Sequence, residues 1–187
     1  MALAGLLGLL IGSFLNVVIH RLPKMMERQW AAECAQYAQD TGLAAGGQAA
    51  APAEPFNLMQ QRSRCPSCGH EVRWYENIPV LSYIGLRGRC SGCGTRISAR
   101  YPLVELATAG LFCACAMRWG WSFTTLAWCG FSAALVALTL IDWDTTLLPD
   151  DITLPLLWAG LLVAVAGWTA VPLADAVVGA AAGYLSL

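Results

Sequence analysis

The sequence predicts an all-α polytopic membrane protein, with about five transmembrane helices and a small cytoplasmic zinc-ribbon-like loop domain. Of its 187 residues, 57% are hydrophobic and only 12% are charged, whereas about a quarter of the residues in a soluble domain are charged. Apolar runs close to the roughly 20 residues that a bilayer core requires recur along the chain. The one long polar segment contains two Cys-x-x-Cys pairs, which predict the loop domain.

The predicted spans cover most of the chain outside this polar segment. Ten of the eleven Lys and Arg residues lie between Arg21 and Arg100. Basic residues near span ends stay on the cytoplasmic side, so we expect segment 20–101 inside the cell and the N-terminus outside. Counting the predicted spans onward from that segment places the segment after residue 141 inside the cell as well. The predicted spans are residues 1–19, 103–118, 121–141, 152–168 and 173–187.

The first span is predicted to pack closely against another helix. Gly5, Gly8 and Gly12 recur at three- to four-residue intervals, a spacing that suits helix contacts in lipid. A cleaved signal peptide is disfavoured, because no basic segment precedes the apolar run and no small-residue cleavage site follows it. Asn16 is interpreted as making an interhelical hydrogen bond, with a substrate-facing role as the alternative. Pro23 is expected to break the helix.

The loop domain comprises residues 20–101, with a low-complexity stretch at 40–55 that predicts a flexible linker. Its two Cys-x-x-Cys pairs, which we call knuckles, can present four thiolates to one ion. Four thiolates are the donor set of a structural, tetrahedral zinc site. Two disulfides, or unrelated thiols, are the alternative, and a cytoplasmic location disfavours disulfides. With four sulfurs bound, no position remains for a catalytic water. The predicted ligands are Cys65, Cys68, Cys90 and Cys93.

Several polar or aromatic residues around the cysteines have two interpretations. His70 is expected to be a surface residue, because four cysteines already complete the metal site. Trp74 and Tyr75 either bind a partner or pack on the knuckles. Glu105 lies one turn inside the second span, where an acid has either a functional role or a capping or interhelical role.

The segment after the third span is rich in carboxylates, and it holds four of the twelve acids of the chain. No Lys or Arg follows Arg118, so we expect no basic partner near this group. The last two acids precede an apolar run and are predicted to be helix N-caps, whose side chains accept bonds from free N–H groups. The four carboxylates belong to Asp142, Asp144, Asp150 and Asp151.

These motifs together resemble one family, the bacterial type IV prepilin peptidases, which are GxGD-type membrane aspartic peptidases. The resemblance implies an inner-membrane enzyme that cleaves the leaders of type IV prepilins and type II secretion pseudopilins. It also implies N-methylation of the new N-terminus with S-adenosylmethionine. The matching segments are Gly12–Pro23, the two cysteine pairs, Glu76–Pro79, Arg100–Leu106, Ile141–Asp142 and Leu148–Asp150.

By this resemblance, Asp142 is the first catalytic aspartate and the four cysteines are zinc ligands. The family's second aspartate lies in a Gly-x-Gly-Asp motif, which does not occur in residues 1–187. The sequence is therefore expected to be C-terminally truncated and inactive as it stands. The alternative is a non-catalytic, membrane-anchored zinc-ribbon module that binds partner proteins. Prepilins, pseudopilins and lipid are the expected partners, whereas the scattered basic charge argues against nucleic acid.

Overall fold

The computed structural model describes residues 1–42, 64–65 and 67–186, apart from the side chain of Trp74. Within these residues the fold is helical, and strand pairing is limited to two isolated antiparallel bridges in the loop domain. From residue 43 onward, the predicted linker at 40–55 lies outside the described residues. The helices are α1 (Ala2–Asp40), α2 (Leu81–Gly85), α3 (Arg100–Trp119), α4 (Phe123–Thr145), α5 (Asp150–Val165) and α6 (Leu173–Leu185), with a 3-10 helix at Trp74–Asn77.

Helix α1 continues through Pro23, so the expected break at this residue is wrong. A proline inside a helix removes one N–H donor and crowds the preceding turn. Here Leu22 and Pro23 are both buried, and packing of this turn supports the helix where local propensity opposes it. The predicted boundary between the first span and the loop domain therefore falls inside one continuous helix.

Helices α1, α3 and α4 form the core of the fold. Gly8 and Gly12 allow α1 and α3 to approach closely: a Cβ at Gly8 would lie 2.5 Å from the Cα of Ala109, and one at Gly12 would lie 2.7 Å from the Cα of Glu105. The predicted role of these two glycines is confirmed. The main apolar cluster consists of Leu15, Val18, Ile19 and Leu22 from α1, Val104 from α3, and Ala137 and Ile141 from α4.

A second apolar cluster lies nearer the C-terminal end of α3 and the N-terminal end of α4. Phe112, Cys115 and Cys129 are all buried in it, where the two cysteines act as small apolar residues. Helix α4 begins with a side-chain cap, in which the hydroxyl of Ser122 accepts from the backbone N–H of Thr125. Helix α5 packs against α4 and α6.

Helices α1 and α4 are long and apolar enough to cross a membrane, judged by length and composition alone. Helices α3, α5 and α6 occupy the positions of the other predicted spans, but they do not meet the same criterion of length and hydropathy. Five membrane crossings therefore stay a prediction. Many large apolar side chains on these helices are exposed, as they would be if lipid surrounded the bundle.

Candidate functional site: a four-cysteine cluster and an acidic helix end

The four predicted cysteine ligands converge in the loop domain, and their Sγ atoms all lie within 4.8 Å of one another. The Sγ atoms of Cys65 and Cys93 are 3.8 Å apart, and those of Cys68 and Cys90 are 4.0 Å apart. A tetrahedron with zinc–sulfur bonds of about 2.3 Å has edges of about 3.8 Å. A disulfide needs a separation of about 2.0 Å. The cluster therefore fits one tetrahedral metal ion.

Each cysteine pair is presented by a tight turn of the same design. The N–H of Gly69 donates to the carbonyl of Cys65, and the N–H of Gly94 donates to that of Cys90, both at 2.9 Å. The two glycines have φ of 72° and 73°, the left-handed region that glycine adopts at little cost. These turns aim both thiols of each pair toward the same point.

His70 is not among the possible metal ligands, as expected, but its side chain is only 28% exposed and makes polar contacts. Its Nε2 atom lies 3.2 Å from Oε2 of Glu76 and 3.1 Å from Oγ of Ser91. The Glu76 carboxylate also accepts from the backbone N–H of Arg73 at 2.8 Å. Because His70 follows the first cysteine pair and Ser91 lies within the second, this network connects the two knuckles.

Electrostatics around one thiol favour metal binding. The hydroxyl of Thr95 lies 3.2 Å from Sγ of Cys93. Hydrogen bonding from the side chain and backbone of Thr95 lowers the pKa of Cys93 to about 6. The hydrogen bond with Cys93 in turn raises the pKa of Cys68 to about 12, so Cys93 is the one of these two thiols that ionises first.

The side chain of Tyr75 projects from the loop domain, and 43% of the residue is exposed. Its hydroxyl accepts a hydrogen bond from Nη1 of Arg73 at 2.6 Å. The side chain of Trp74 lies outside the described residues, so the choice between partner binding and packing on the knuckles stays open for it.

Asp142 lies in the last turn of α4, directly after the fully buried Ile141. The Asp142 residue is exposed, and its neighbour Trp143 is 84% exposed. Within the part of the chain that the structure describes, no side chain pairs with the Asp142 carboxylate. The buried Ile141 fixes the backbone, while the carboxylate stays accessible to a substrate or to a second acid.

Asp144 has a basic partner, contrary to the expectation drawn from the local sequence. Nη1 of Arg100, the first residue of α3, lies 2.7 Å from Oδ1 of Asp144. Nη2 of the same guanidinium donates to the carbonyl of Leu140 at 3.3 Å. The proximity of Asp144 raises the pKa of Arg100. This contact defines a role for Asp144 and identifies Arg100 as a residue that the sequence interpretation missed.

The prediction that Asp150 and Asp151 are helix N-caps is wrong. Pro149 occupies the N-cap position of α5, no side chain makes a capping bond there, and both acids belong to the first helical turn. Their carboxylates still face the positive end of the helix dipole, which favours acids at this position. The hydroxyl of Thr153 lies 3.4 Å from Oδ1 of Asp150.

A groove of about 190 Å³ lies between α1 and the C-terminal end of α4. Nζ of Lys24 lies 3.0 Å from Nε2 of His20 at its wall. Partial burial, followed by the charges of Lys24 and Arg21, lowers the pKa of His20. The groove is lined by Ile19, His20, Pro23, Lys24, Glu27, Asp144 and Thr145.

The polar residues predicted inside the first two spans both make contacts between elements. Nδ2 of Asn16 on α1 donates to the carbonyl of Tyr101 on α3 at 3.1 Å, which confirms the interhelical interpretation. Oε2 of Glu105 accepts from the backbone N–H of Val80 at 2.7 Å. Glu105 therefore connects α3 to the loop domain, a longer-range contact than the predicted cap.

The fold and site thus define a helical protein with membrane-capable helices, a loop that can hold a metal ion, and an exposed aspartate at a helix end. Residues 6–119 match the bacterial peptidase A24 N-terminal domain, and residues 129–187 match the type IV leader peptidase family. The chain belongs to the bacterial peptidase A24 family, the type IV leader peptidases.

Curated relatives support this assignment along the whole chain. Proteins named prepilin leader peptidase/N-methyltransferase are 52% identical in Burkholderia pseudomallei strain 1026b, 54% in Aeromonas hydrophila and 49% in Neisseria gonorrhoeae. These matches cover 100%, 100% and 99% of this chain, but 59%, 62% and 62% of the relatives. The chain thus spans about three fifths of their length. No solved structure gives a significant match.

Proposed function

We propose that the protein is a prepilin leader peptidase and N-methyltransferase of the bacterial inner membrane. The observation that carries the proposal is identity of about half over the whole chain to relatives with this name. Type IV prepilins and type II secretion pseudopilins are the proposed substrates, cut at the cytoplasmic membrane face. S-adenosylmethionine is the proposed methyl donor.

The proposed catalytic residue is Asp142. Aspartic catalysis uses two carboxylates that share one proton, because two like charges a few ångströms apart cannot both ionise without a large cost. One carboxylate removes a proton from water while the other, protonated, polarises the scissile carbonyl. The exposed position of Asp142 and the lack of a cationic partner for it among the described residues suit this role. Asp144 is unsuited, because it is paired with Arg100.

The four-cysteine cluster is proposed to hold a structural zinc ion. A thiolate tetrahedron leaves no open coordination position, so the metal would stabilise the loop and would not activate water. Within the described part of the chain, α2 has no buried residue and contributes none to the main apolar cluster. A loop with so little core depends on such a cross-link for its folding.

The test is cleavage of a prepilin by the complete gene product in membranes, with Asp142→Asn against the wild type. We expect the substitution to reduce cleavage by at least about a hundredfold, the scale of a lost acid–base group. Asp151→Asn, an exposed acid in the neighbouring helical turn, is the matched control and should cleave normally. Full cleavage by Asp142→Asn would exclude the catalytic assignment. A wild-type protein that binds metal but cleaves no prepilin would favour a non-catalytic membrane module.

A further inference from the structure

We propose that Glu105 is a positioning residue, whose carboxylate docks the segment Ile78–Gly85 of the loop domain onto the helix bundle. The expected kinetic effects rest on the proposed peptidase function, whereas the docking itself is independent of that function. It assigns a role to an acid buried in an apolar helix that the proposed chemistry does not use.

The burial of Glu105 requires an explanation. The residue is only 7% exposed and lies between apolar neighbours on α3. A buried acid is unfavourable unless hydrogen bonds satisfy its oxygens. One hydrogen bond does so: Oε2 accepts from the Val80 N–H at 2.7 Å, while Ser13 on α1 lies near the same carboxylate. The carboxylate therefore joins α3 to the loop domain at the point where α1 packs against α3.

The partner of Glu105 is held in an unusual conformation. Val80 has φ 59° and ψ −46°, a region that a β-branched residue rarely adopts. It occupies the N-cap position of α2, and this conformation turns its N–H toward α3. Strain of this kind persists where surrounding contacts enforce it. The contact to Glu105 is such a contact, because its side-chain oxygen accepts from the Val80 N–H at 2.7 Å and so holds that N–H in this orientation.

The geometry of α1 leaves room for this arrangement. Gly12 lies against Glu105, and a Cβ at Gly12 would come within 2.7 Å of the Cα of Glu105. Close contact of the two helix backbones keeps the carboxylate of Glu105 within reach of both Ser13 and the loop. A larger residue at position 12 would move α3, and the acceptor with it.

The same part of α3 also supports the end of α4 that carries Asp142. Val104, the neighbour of Glu105, belongs to the apolar cluster that contains Ile141. Arg100, at the start of α3, contacts Leu140 and Asp144. The first two turns of α3 thus hold the loop segment on one side and the acidic helix end on another. A change at Glu105 can therefore act on the loop directly and on the turn that carries Asp142 through α3.

The experiment compares Glu105→Ala, Glu105→Gln and the wild type, each as the complete gene product in lipid nanodiscs. Deuterium uptake is measured over residues 78–86, together with zinc content and the KM and kcat for prepilin cleavage. Gln retains an acceptor oxygen of nearly the same reach, so it should rescue what Ala loses. Glu33→Ala, an exposed acid on α1, is the matched control.

For Glu105→Ala we expect faster exchange over residues 78–86, unchanged zinc content, and a rise in KM of about tenfold with a smaller change in kcat. Unchanged exchange would overturn the docking, and faster exchange with normal KM would overturn the positioning role. Failure of Gln to rescue would exclude the hydrogen bond as the cause. If Ala does not fold, Glu105→Gln decides by the same readouts, since its exchange and KM must then match the wild type. If the wild type cleaves no prepilin, the proposed function fails, while the exchange data still decide the docking.

Discussion

Arg100 and Asp144 join the start of α3 to the end of α4 through a guanidinium–carboxylate contact of 2.7 Å. The other arm of the guanidinium reaches the carbonyl of Leu140, in the last two turns of α4. A cation is favourable at this negative end of the helix dipole. Asp142 lies between the two contact points, so Arg100 restrains the turn that carries it.

Replacing Arg100 with Ala should therefore reduce cleavage more than it reduces stability. Both side chains of the pair are more than a third exposed, so its loss should lower the free energy of unfolding by about 1 kcal/mol or less. Misplacement of a catalytic group by a small distance can cost about tenfold or more in rate. The measurements are prepilin cleavage and thermal unfolding in detergent.

Arg118→Ala, at the other end of α3, is the control and should leave both quantities nearly unchanged. Arg100→Lys should restore only part of the rate, because a single ammonium group cannot reproduce the two-armed contact. Equal cleavage by Arg100→Ala and the wild type would show that this contact does not position Asp142.

The close approach of α1 and α3 makes a separate prediction. Gly8→Ala should lower stability by about 1–3 kcal/mol, because its new methyl group would overlap backbone atoms that cannot move independently. Gly110→Ala on α3 is the matched control, since a Cβ there meets nothing within 4 Å. Ala is also the better helix former, so the control should be neutral or slightly stabilising. Thermal unfolding in the same detergent tests both, and a stable Gly8→Ala protein would contradict the observed helix contact.

Features that depend on local composition could be predicted from the sequence. The apolar runs place α3 to α6 within a few residues of their observed ends, and the spacing of Gly8 and Gly12 predicts the helix contact that forms. The Cys-x-x-Cys pairs predict the cluster, because each pair forms a turn whose geometry depends on nearby residues.

Features that depend on distant residues could not be predicted in this way. Arg100 and Asp144 are 44 residues apart, so the absence of a nearby base in the sequence was misleading. Pro23 normally interrupts a helix, but burial of its turn outweighs that tendency. Asp is a favoured N-cap residue, yet Pro149 occupies the N-cap position of α5, and Asp150 lies in the first helical turn. In each case a tertiary contact or a neighbouring residue outweighs the propensity of the single residue.

The cysteine cluster predicts the metal content of the protein. Cys65→Ser combined with Cys68→Ser should remove about one equivalent of zinc per chain, because two of the four thiolates of a tetrahedral site are lost. Cys34→Ser changes an exposed cysteine on α1 and should retain the metal. Metal analysis of the purified proteins decides the outcome. Equal zinc in the double variant and the wild type would exclude this cluster as the binding site.

The Glu76 network predicts a dependence of loop stability on pH. Hydrogen bonds from Ser91 and from the Arg73 backbone lower the pKa of Glu76 from an ordinary value of 4.5 to about 2. A depressed carboxyl pKa stabilises the fold fully above the ordinary value, and this contribution is lost as the pH falls through 4.5 toward 2. Glu76→Gln should therefore loosen the loop at neutral pH.

Deuterium exchange over residues 70–77, measured for Glu76→Gln and the wild type between pH 7 and pH 3, tests this prediction after correction for the intrinsic exchange rate. The two proteins should differ most near pH 7, and the difference should shrink below about pH 4.5, where the carboxyl group of the open loop takes up a proton first. Glu71→Gln changes a more exposed acid, paired with Arg64, and should show a much smaller difference at neutral pH. A difference between Glu76→Gln and the wild type that stays constant down to pH 3 would contradict the assignment, because it would arise from shape or packing and not from the charge of Glu76.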